Sequence, residues 1–255
     1  MHAMSVLRMI RELGLDPRRA RLAAQFPRFL RDLHRWKKEG GQVSSVYPIL
    51  SDWSDQAGDA SGAYFHQDML IARLIYEARP NRHIDVGSRF DGFVAHVAVF
   101  REIEVVDIRP MQAAVRNVRF IQANVMQGAA ELKNSTDSLS CLHALEHFGL
   151  GRYGDPIDPH GHLKGFSSLV DMLKPSAALY LSFPIGRPVV EFNAHRVFDC
   201  QEVLHWPSSE LLCLQRFDYV DDEGALHESI PRDEIRARCA ELKHGCGIYS
   251  FTRRG

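Results

Sequence analysis

The chain has 255 residues, enough for one large domain or for one domain with an appendage, and its balance of 45% hydrophobic and 25% charged residues excludes disordered, collagen-like and fibrous proteins. No apolar run approaches the roughly 18 residues of a membrane span, and Met1 to Gly14 mixes arginines among its apolar residues without an h-region and cleavage site, so no secretory signal is expected. The net charge of −1 argues against a nucleic-acid coat but conceals an asymmetry: residues 1–40 carry ten Lys and Arg against four Asp and Glu, and the rest carry 21 against 28.

The basic segment reads as helices. Leu7, Ile10 and Leu13 recur at helical spacing, Asp16-Pro17 is an N-cap followed by proline, and Leu30, Leu33 and Trp36 form a second apolar stripe before Gly40-Gly41. Residues 41–62 are rich in turn-formers and read as a connector, giving an extension over 1–62 and a domain over 63–255. The spacing predicts a helix over 66–77, ending before Pro80. From Arg82 short apolar runs alternate with helix-length segments, the signature of βαβ units. Strands are predicted over 83–86, 103–107, 118–122, 138–142 and 177–183, with helices over 93–100 and 164–173. Past Pro207, residues 211–219 and 248–252 read as a final antiparallel pair, which makes an α/β sheet of seven mostly parallel strands. Five cysteines without Cys-x-x-Cys spacing point to a reducing cytoplasm, with neither a disulfide framework nor a zinc knot. Cys239, Cys246 and the nearby His244 read as ordinary packing.

The first strand ends in Asp85-Val-Gly87-Ser88-Arg-Phe-Asp-Gly92, where glycines let the backbone approach a ligand at the carboxyl ends of the strands. Only Gly87 and Gly92 are glycine, so the dinucleotide fingerprint is not met. Asp85 suits a ligand with a cation near the loop better than a pyrophosphate. Asp107, closing the second strand, can accept both hydroxyls of a ribose; the alternative is an ordinary strand-to-helix turn and a helix cap.

These blocks resemble the class I S-adenosylmethionine-dependent methyltransferases. Asp85-x-Gly87 looks like their first motif, Val106-Asp107-Ile108 their ribose-binding position, Gln122-Ala-Asn124-Val125 their adenine-side motif, and Leu173–Pro184 the turn and fifth strand that many of them write LKPGG. The resemblance implies a Rossmann-like methyltransferase fold and an S-adenosylmethionine site at Asp85, Gly87, Ser88, Gly92, Asp107, Ile108, Asn124 and Val125. Asn124 stands where an acid is common, and the first motif lacks its middle glycine. The chain also resembles an uncharacterised methyltransferase-like family of unknown function through 64–68, 149–156 and 192–198, a resemblance running over almost all of 63–255.

At the end of the fourth strand stands His143-Ala-Leu-Glu146-His147. Its literal match to the inverted zinc-protease pattern lacks the helix that would put both histidines on one face. Asp137–His147 instead resembles the fourth motif of quinone-ring O-methyltransferases and small-RNA 2′-O-methyltransferases, written E-x-x-E-H. That resemblance implies a divalent metal (Zn, Mn, Fe, Co or Ni) on His143, Glu146, His147 and the later His195, which would lower the pKa of a bound hydroxyl. Without a metal, His147 or His195 is the candidate general base, with Glu146 beside it. Residues 148–165 are rich in turn-formers and read either as a substrate loop offering Arg152, Tyr153, Asp155 and His160 or as a rigid surface loop.

The leading expectation is an S-adenosylmethionine-dependent O-methyltransferase, cytoplasmic, acting on a small-molecule or carbohydrate-like (glycan) acceptor. Two alternatives stand beside it: a non-catalytic binding module on the same fold, and an RNA 2′-O-methyltransferase, which the acidic body disfavours. The basic segment would pack on the acidic domain as a lid or contact a second subunit in a homodimer.

Overall fold

The computed structural model describes residues 23–53, 58 and 60–255, and the chain divides into two units, Met1–Asp59 and Ala60–Gly255. In the first unit, Phe26–Lys38 forms helix α1, with a proline in its first turn, where a missing N–H costs no helical bond. Leu30, Leu33 and Trp36 fall in this helix, and none of its residues is buried. The helical features at Leu7, Ile10, Leu13 and Asp16-Pro17 lie outside the described residues. No helix among the described residues is long and apolar enough to cross a membrane.

The second unit runs α2 (Ala63–Ala78), β1 (His83–Val86), a π-helical turn (Phe90–Val94) leading into α3 (Ala95–Ala98), β2 (Ile103–Asp107), β3 (Val118–Gln122), β4 (Thr136–Leu142), α4 (Gly161–Met172), β5 (Leu173–Ile185), β6 (Val189–Glu191), β7 (His195–Val197), β8 (Leu212–Val220), β9 (Leu226–His227), α5 (Ile235–Cys239) and β10 (Gly245–Arg253). The main sheet has the order β3-β2-β1-β4-β5-β10-β8-β9. Strands β1 to β5 are parallel, and β10 lies between β5 and β8, antiparallel to both. This is the Rossmann-like, mostly parallel sheet expected from the sequence. The short β9 adds an eighth strand, and β6 with β7 forms a separate hairpin.

All four residues of β1 are buried between β2 and β4, as in the centre of a parallel sheet. Apolar side chains fill both sides. One cluster gathers Phe166 and Leu169 of α4 with Phe183, Trp206 and Tyr249; the other gathers Ile71 and Ile75 of α2 with Phe93, Val97 and Ile248. Two residues of β1 break the apolar rule. His83 and Asp85 share one face by the strand's period of two, and their register partners on β4 are Ser138 and Ser140. The helix expected over 93–100 begins instead as the π-turn, because Gly92 is non-helical (φ −125°, ψ −106°) and the Asp68 carboxylate of α2 occupies the space a Cβ there would need.

Candidate active site

A cavity of about 880 Å³ opens at the carboxyl ends of β1, β2 and β4, and Gly87, Asp107, His143, Glu146, His147 and His195 all line it. A narrower recess beside it is walled by Ile108, Asn124, Val125, Ala144 and Phe148. Gly87, Asp107, His143 and His147 border both. The topology thus brings most of the residues singled out in the sequence to one end of the sheet, where open α/β sheets bind their ligands.

The turn after β1 is built from within. Gly87 has φ +72°, and a Cβ there would lie 2.9 Å from that of Ala144, so backbone forms the cavity wall at this point. Asp85 lines neither cavity. It is fully buried, accepting bonds from Ser88 Oγ (2.6 Å), Ser88 N (3.1 Å) and Ser140 Oγ (2.6 Å). Burial pushes its carboxyl up to about 6 against those bonds. Asp85 therefore shapes the turn rather than facing a ligand cation. Ser88 Oγ in turn accepts from Leu142 N at 3.1 Å, tying the turn to the end of β4. Because Ser140 gives its proton to Asp85, the His83 Nε2 at 3.1 Å must donate to Ser140, and His83 Nδ1 accepts from Ser138 (2.8 Å). Burial holds His83 down to about 3. Gly92, also expected at the cofactor, lies outside both cavity linings and makes room for Asp68 instead.

Asp107 ends β2 as expected, with its carboxylate gripped by Arg109 through Nε (3.0 Å), Nη2 (2.7 Å) and backbone N (2.8 Å). The Arg109 guanidinium also lies 4.4 Å from the centre of the Tyr153 ring. Asn124 caps the short turn after β3 by accepting from Met126 N at 3.0 Å.

Just past the end of β4, His143 adopts φ +49° and packs at a tilt against Tyr64, ring centres 4.7 Å apart. Its Nδ1 lies 3.0 Å from Glu146 Oε1. Burial opposes a charge on His143, and Cys246 and Glu146 outweigh it, so the ring is held well above the ordinary imidazole value. Glu146 is 1% exposed; its Oε2 and His143 Nε2 are buried without hydrogen-bond partners. His147 Nδ1 lies 2.6 Å from Ala194 O, and its Nε2 lies 3.7 Å from Glu146 Oε1. Arg152 Nη1 also donates to Ala194 O, at 3.1 Å. His195 lines the same cavity, 3.8 Å from Glu191, with His244 at 6.5 Å between ring centres.

The four expected metal ligands do not form a ligand set: among the described residues no three His, Cys, Asp or Glu side chains are arranged to hold a metal ion. One ring nitrogen of His143 is engaged by Glu146 and one of His147 by a carbonyl. The loop after β4 is internally braced, since Asp155 accepts from Gly149 N (2.8 Å), Gly151 N (3.2 Å) and Tyr153 N (3.1 Å). Arg152 and Tyr153 face the cavity; His160 does not line it. Five contributors escaped the sequence reading. Arg109 carries no motif, and Tyr64 and Arg196 fall in the segments 64–68 and 192–198 without any role of their own being legible there. His244 and Cys246, read as packing, line the cavity, which the late antiparallel strand β10 brings to this end of the sheet.

The chain has the class I S-adenosylmethionine-dependent methyltransferase fold. Its similarity to solved structures is one of architecture at low identity: the [4+2]-cyclase SpnF (13% identity, 78% of this chain and 85% of that one, TM-score 0.53), the YcgJ protein of Bacillus subtilis (15%, 74% and 99%, 0.51) and the N-methyltransferase NodS of Bradyrhizobium japonicum in complex with S-adenosylhomocysteine (12%, 82% and 94%, 0.50). A family model described as a Caenorhabditis protein of unknown function, DUF268, matches residues 99–203, which include the braced loop and the β6–β7 hairpin. No curated protein matches the sequence.

Proposed function

We propose that this chain is an S-adenosylmethionine-dependent methyltransferase that methylates a hydroxyl of a small-molecule or carbohydrate-like acceptor, with His147 as general base. The residues present fit the cofactor: the Gly87 turn has no room for a side chain, Asp107 offers a carboxylate at the end of β2, and Ile108, Val125 and Ala144 give the neighbouring recess apolar walls suited to an adenine. When bound, the sulfonium supplies an electrophilic methyl group.

What the chain adds is a base, and the hydrogen bond from His147 to Ala194 O carries the reading. A carbonyl oxygen only accepts, so Nδ1 bears the proton and Nε2 keeps its lone pair. Burial, opposed by Glu146, holds this ring below the ordinary imidazole value, so it is neutral near pH 7 and able to take a hydroxyl proton. Glu146, next to Nε2, stabilises the imidazolium that forms. The cysteines among the described residues are all free thiols, which fits action in a reducing cytoplasm.

Calorimetry with S-adenosylhomocysteine, followed by methyl transfer to a panel of hydroxy acids, catechols and sugars, tests the proposal. Binding plus transfer to oxygen is expected. Absence of binding at millimolar concentration would sink it, and binding without any transfer would favour the non-catalytic module.

A further inference from the structure

We infer that the acceptor is an anionic hydroxy compound, a hydroxyl-bearing carboxylate or phosphate ester, whose negative group docks on Arg152 while its hydroxyl lies against Glu146 and His147. The reaction in this inference rests on the methyltransferase reading; the charge of the substrate rests on the cavity alone.

Three guanidinium groups line the cavity. Arg89 is closed onto Asp91 by two bonds of 3.1 and 2.8 Å, and Arg109 onto Asp107 by two of 3.0 and 2.7 Å. Arg152 has no carboxylate partner among the described residues. Its Nη1 donates to Ala194 O, and its guanidinium lies 5.2 Å from the Tyr153 ring centre. A guanidinium with free donors beside a partly desolvated cavity is a fork for carboxylate or phosphate oxygens. His195 and His244 add ring nitrogens to the same cavity.

The opposite requirement lies one imidazole away. Glu146 Oε2 is a buried acceptor without a partner, and buried polar atoms are costly unless something bonds them. Glu146 Oε1 is 3.7 Å from His147 Nε2, whereas Arg152 Nη1 is 3.4 Å from His147 Nδ1, so the His147 ring lies between the Glu146 carboxylate and the Arg152 guanidinium. A hydroxyl donating to Glu146 or His147, and an anion a short covalent distance from it, satisfy both sides at once. A neutral sugar or catechol would engage the Glu146 side alone and leave the free Arg152 donors to water.

Calorimetry of the full chain with 2-hydroxybenzoate, its neutral counterpart 2-hydroxybenzamide, and inorganic phosphate, each with and without S-adenosylhomocysteine, tests the inference. The benzoate is expected to bind about tenfold or more tighter than the amide. That preference should collapse in Arg152→Gln and return in part in Arg152→Lys. Phosphate binding tighter than the benzoate assigns the phosphate-ester source, and the reverse assigns the carboxylate; both support the inference. Equal affinity for benzoate and amide in the unaltered protein, or no binding of either anion, overturns it without recourse to any variant. So does displacement of the anion by S-adenosylhomocysteine, which would give Arg152 to the cofactor. Anion preference without S-adenosylhomocysteine binding would instead fail the methyltransferase reading and leave the anion site standing.

Discussion

His147 and Ala194 are joined by a hydrogen bond of 2.6 Å from the ring Nδ1 to the carbonyl oxygen at the turn of the β6–β7 hairpin. A three-residue strand pair thus sets the tautomer of the candidate base. Replacing His147 by Gln keeps a polar side chain but removes the lone pair that takes the proton. Turnover is expected to fall by about 10²-fold or more, with affinity for S-adenosylhomocysteine changed less than about threefold. Paired kinetic and calorimetric measurements check this, and a parallel loss of both would show that His147 holds the cofactor instead.

Arg109 closes the Asp107 carboxylate, the group proposed for the cofactor ribose. A ribose diol bonding Asp107 must displace that guanidinium, half exposed and worth only about 0.5–1 kcal/mol as an ion pair. Arg109→Ala is therefore expected to tighten S-adenosylhomocysteine binding by roughly two- to fivefold, and Asp107→Ala to weaken it. Weakening in both would make Arg109 a cofactor ligand rather than a competitor.

Gly87 holds a left-handed conformation, and a methyl group there meets Ala144. An L-residue in that region costs roughly 1–2 kcal/mol, and the added carbon also narrows the wall between the two recesses. Gly87→Ala should lower the melting temperature by a few degrees and weaken S-adenosylhomocysteine binding by more than about tenfold. Unchanged affinity in a folded variant would remove the turn from the cofactor site.

The alternation of apolar runs made the parallel sheet legible, since buried central strands read as short apolar stretches wherever they stand. The carboxyl ends of those strands were legible for the same reason: Gly87, Asp107, His143 and His147 each close or follow a strand. What the sequence did not disclose are relations set by distance in space. Asp85 looked like a ligand group but answers two serines, and serine positions on β4 carry meaning only once the β1–β4 register is known. The four residues of the metal reading are not gathered into a ligand set among the described residues, and the histidine and glutamate spacing says nothing of which ring nitrogens a carbonyl or a neighbouring carboxylate already engages.

Arg196 is the clearest residue of that hidden kind. Its buried guanidinium donates to Glu146 O (3.2 Å), Phe148 O (2.7 Å) and Pro159 O (3.4 Å), so one side chain from β7 holds both ends of the loop that follows β4. Removing it orphans the buried Glu146 carbonyl, at about 1–3 kcal/mol, and takes the donor from two partly buried carbonyls as well. Arg196→Ala is expected to cost about 3 kcal/mol or more in urea unfolding, and Arg196→Lys to recover little, because an ammonium cannot span three acceptors held by a planar fork. Full recovery by lysine would reduce the role to simple charge.

His83 and Asp85 share the hydroxyl of Ser140, and their titrations oppose each other. His83, held down to about 3, stays neutral in the folded chain while the unfolded chain binds a proton below about 6.5, so its contribution is present above that pH and is lost on acidification. Asp85, raised to about 6, has the opposite sign: the folded chain binds the proton first, so its contribution is full below about 3.8 and is lost as pH rises through 6. Between these limits the two slopes largely cancel. In His83→Gln only the Asp85 slope survives, so the variant is less stable than the natural chain at pH 7 by about 1–3 kcal/mol, the cost of a disturbed buried hydrogen-bond pair. That deficit should shrink by roughly 2 kcal/mol between pH 7 and pH 5, because the natural chain alone must keep an imidazole unprotonated. Urea midpoints of both proteins at the two pH values decide it, and a deficit that does not change with pH would mean that His83 is not the neutral, doubly bonded ring of β1.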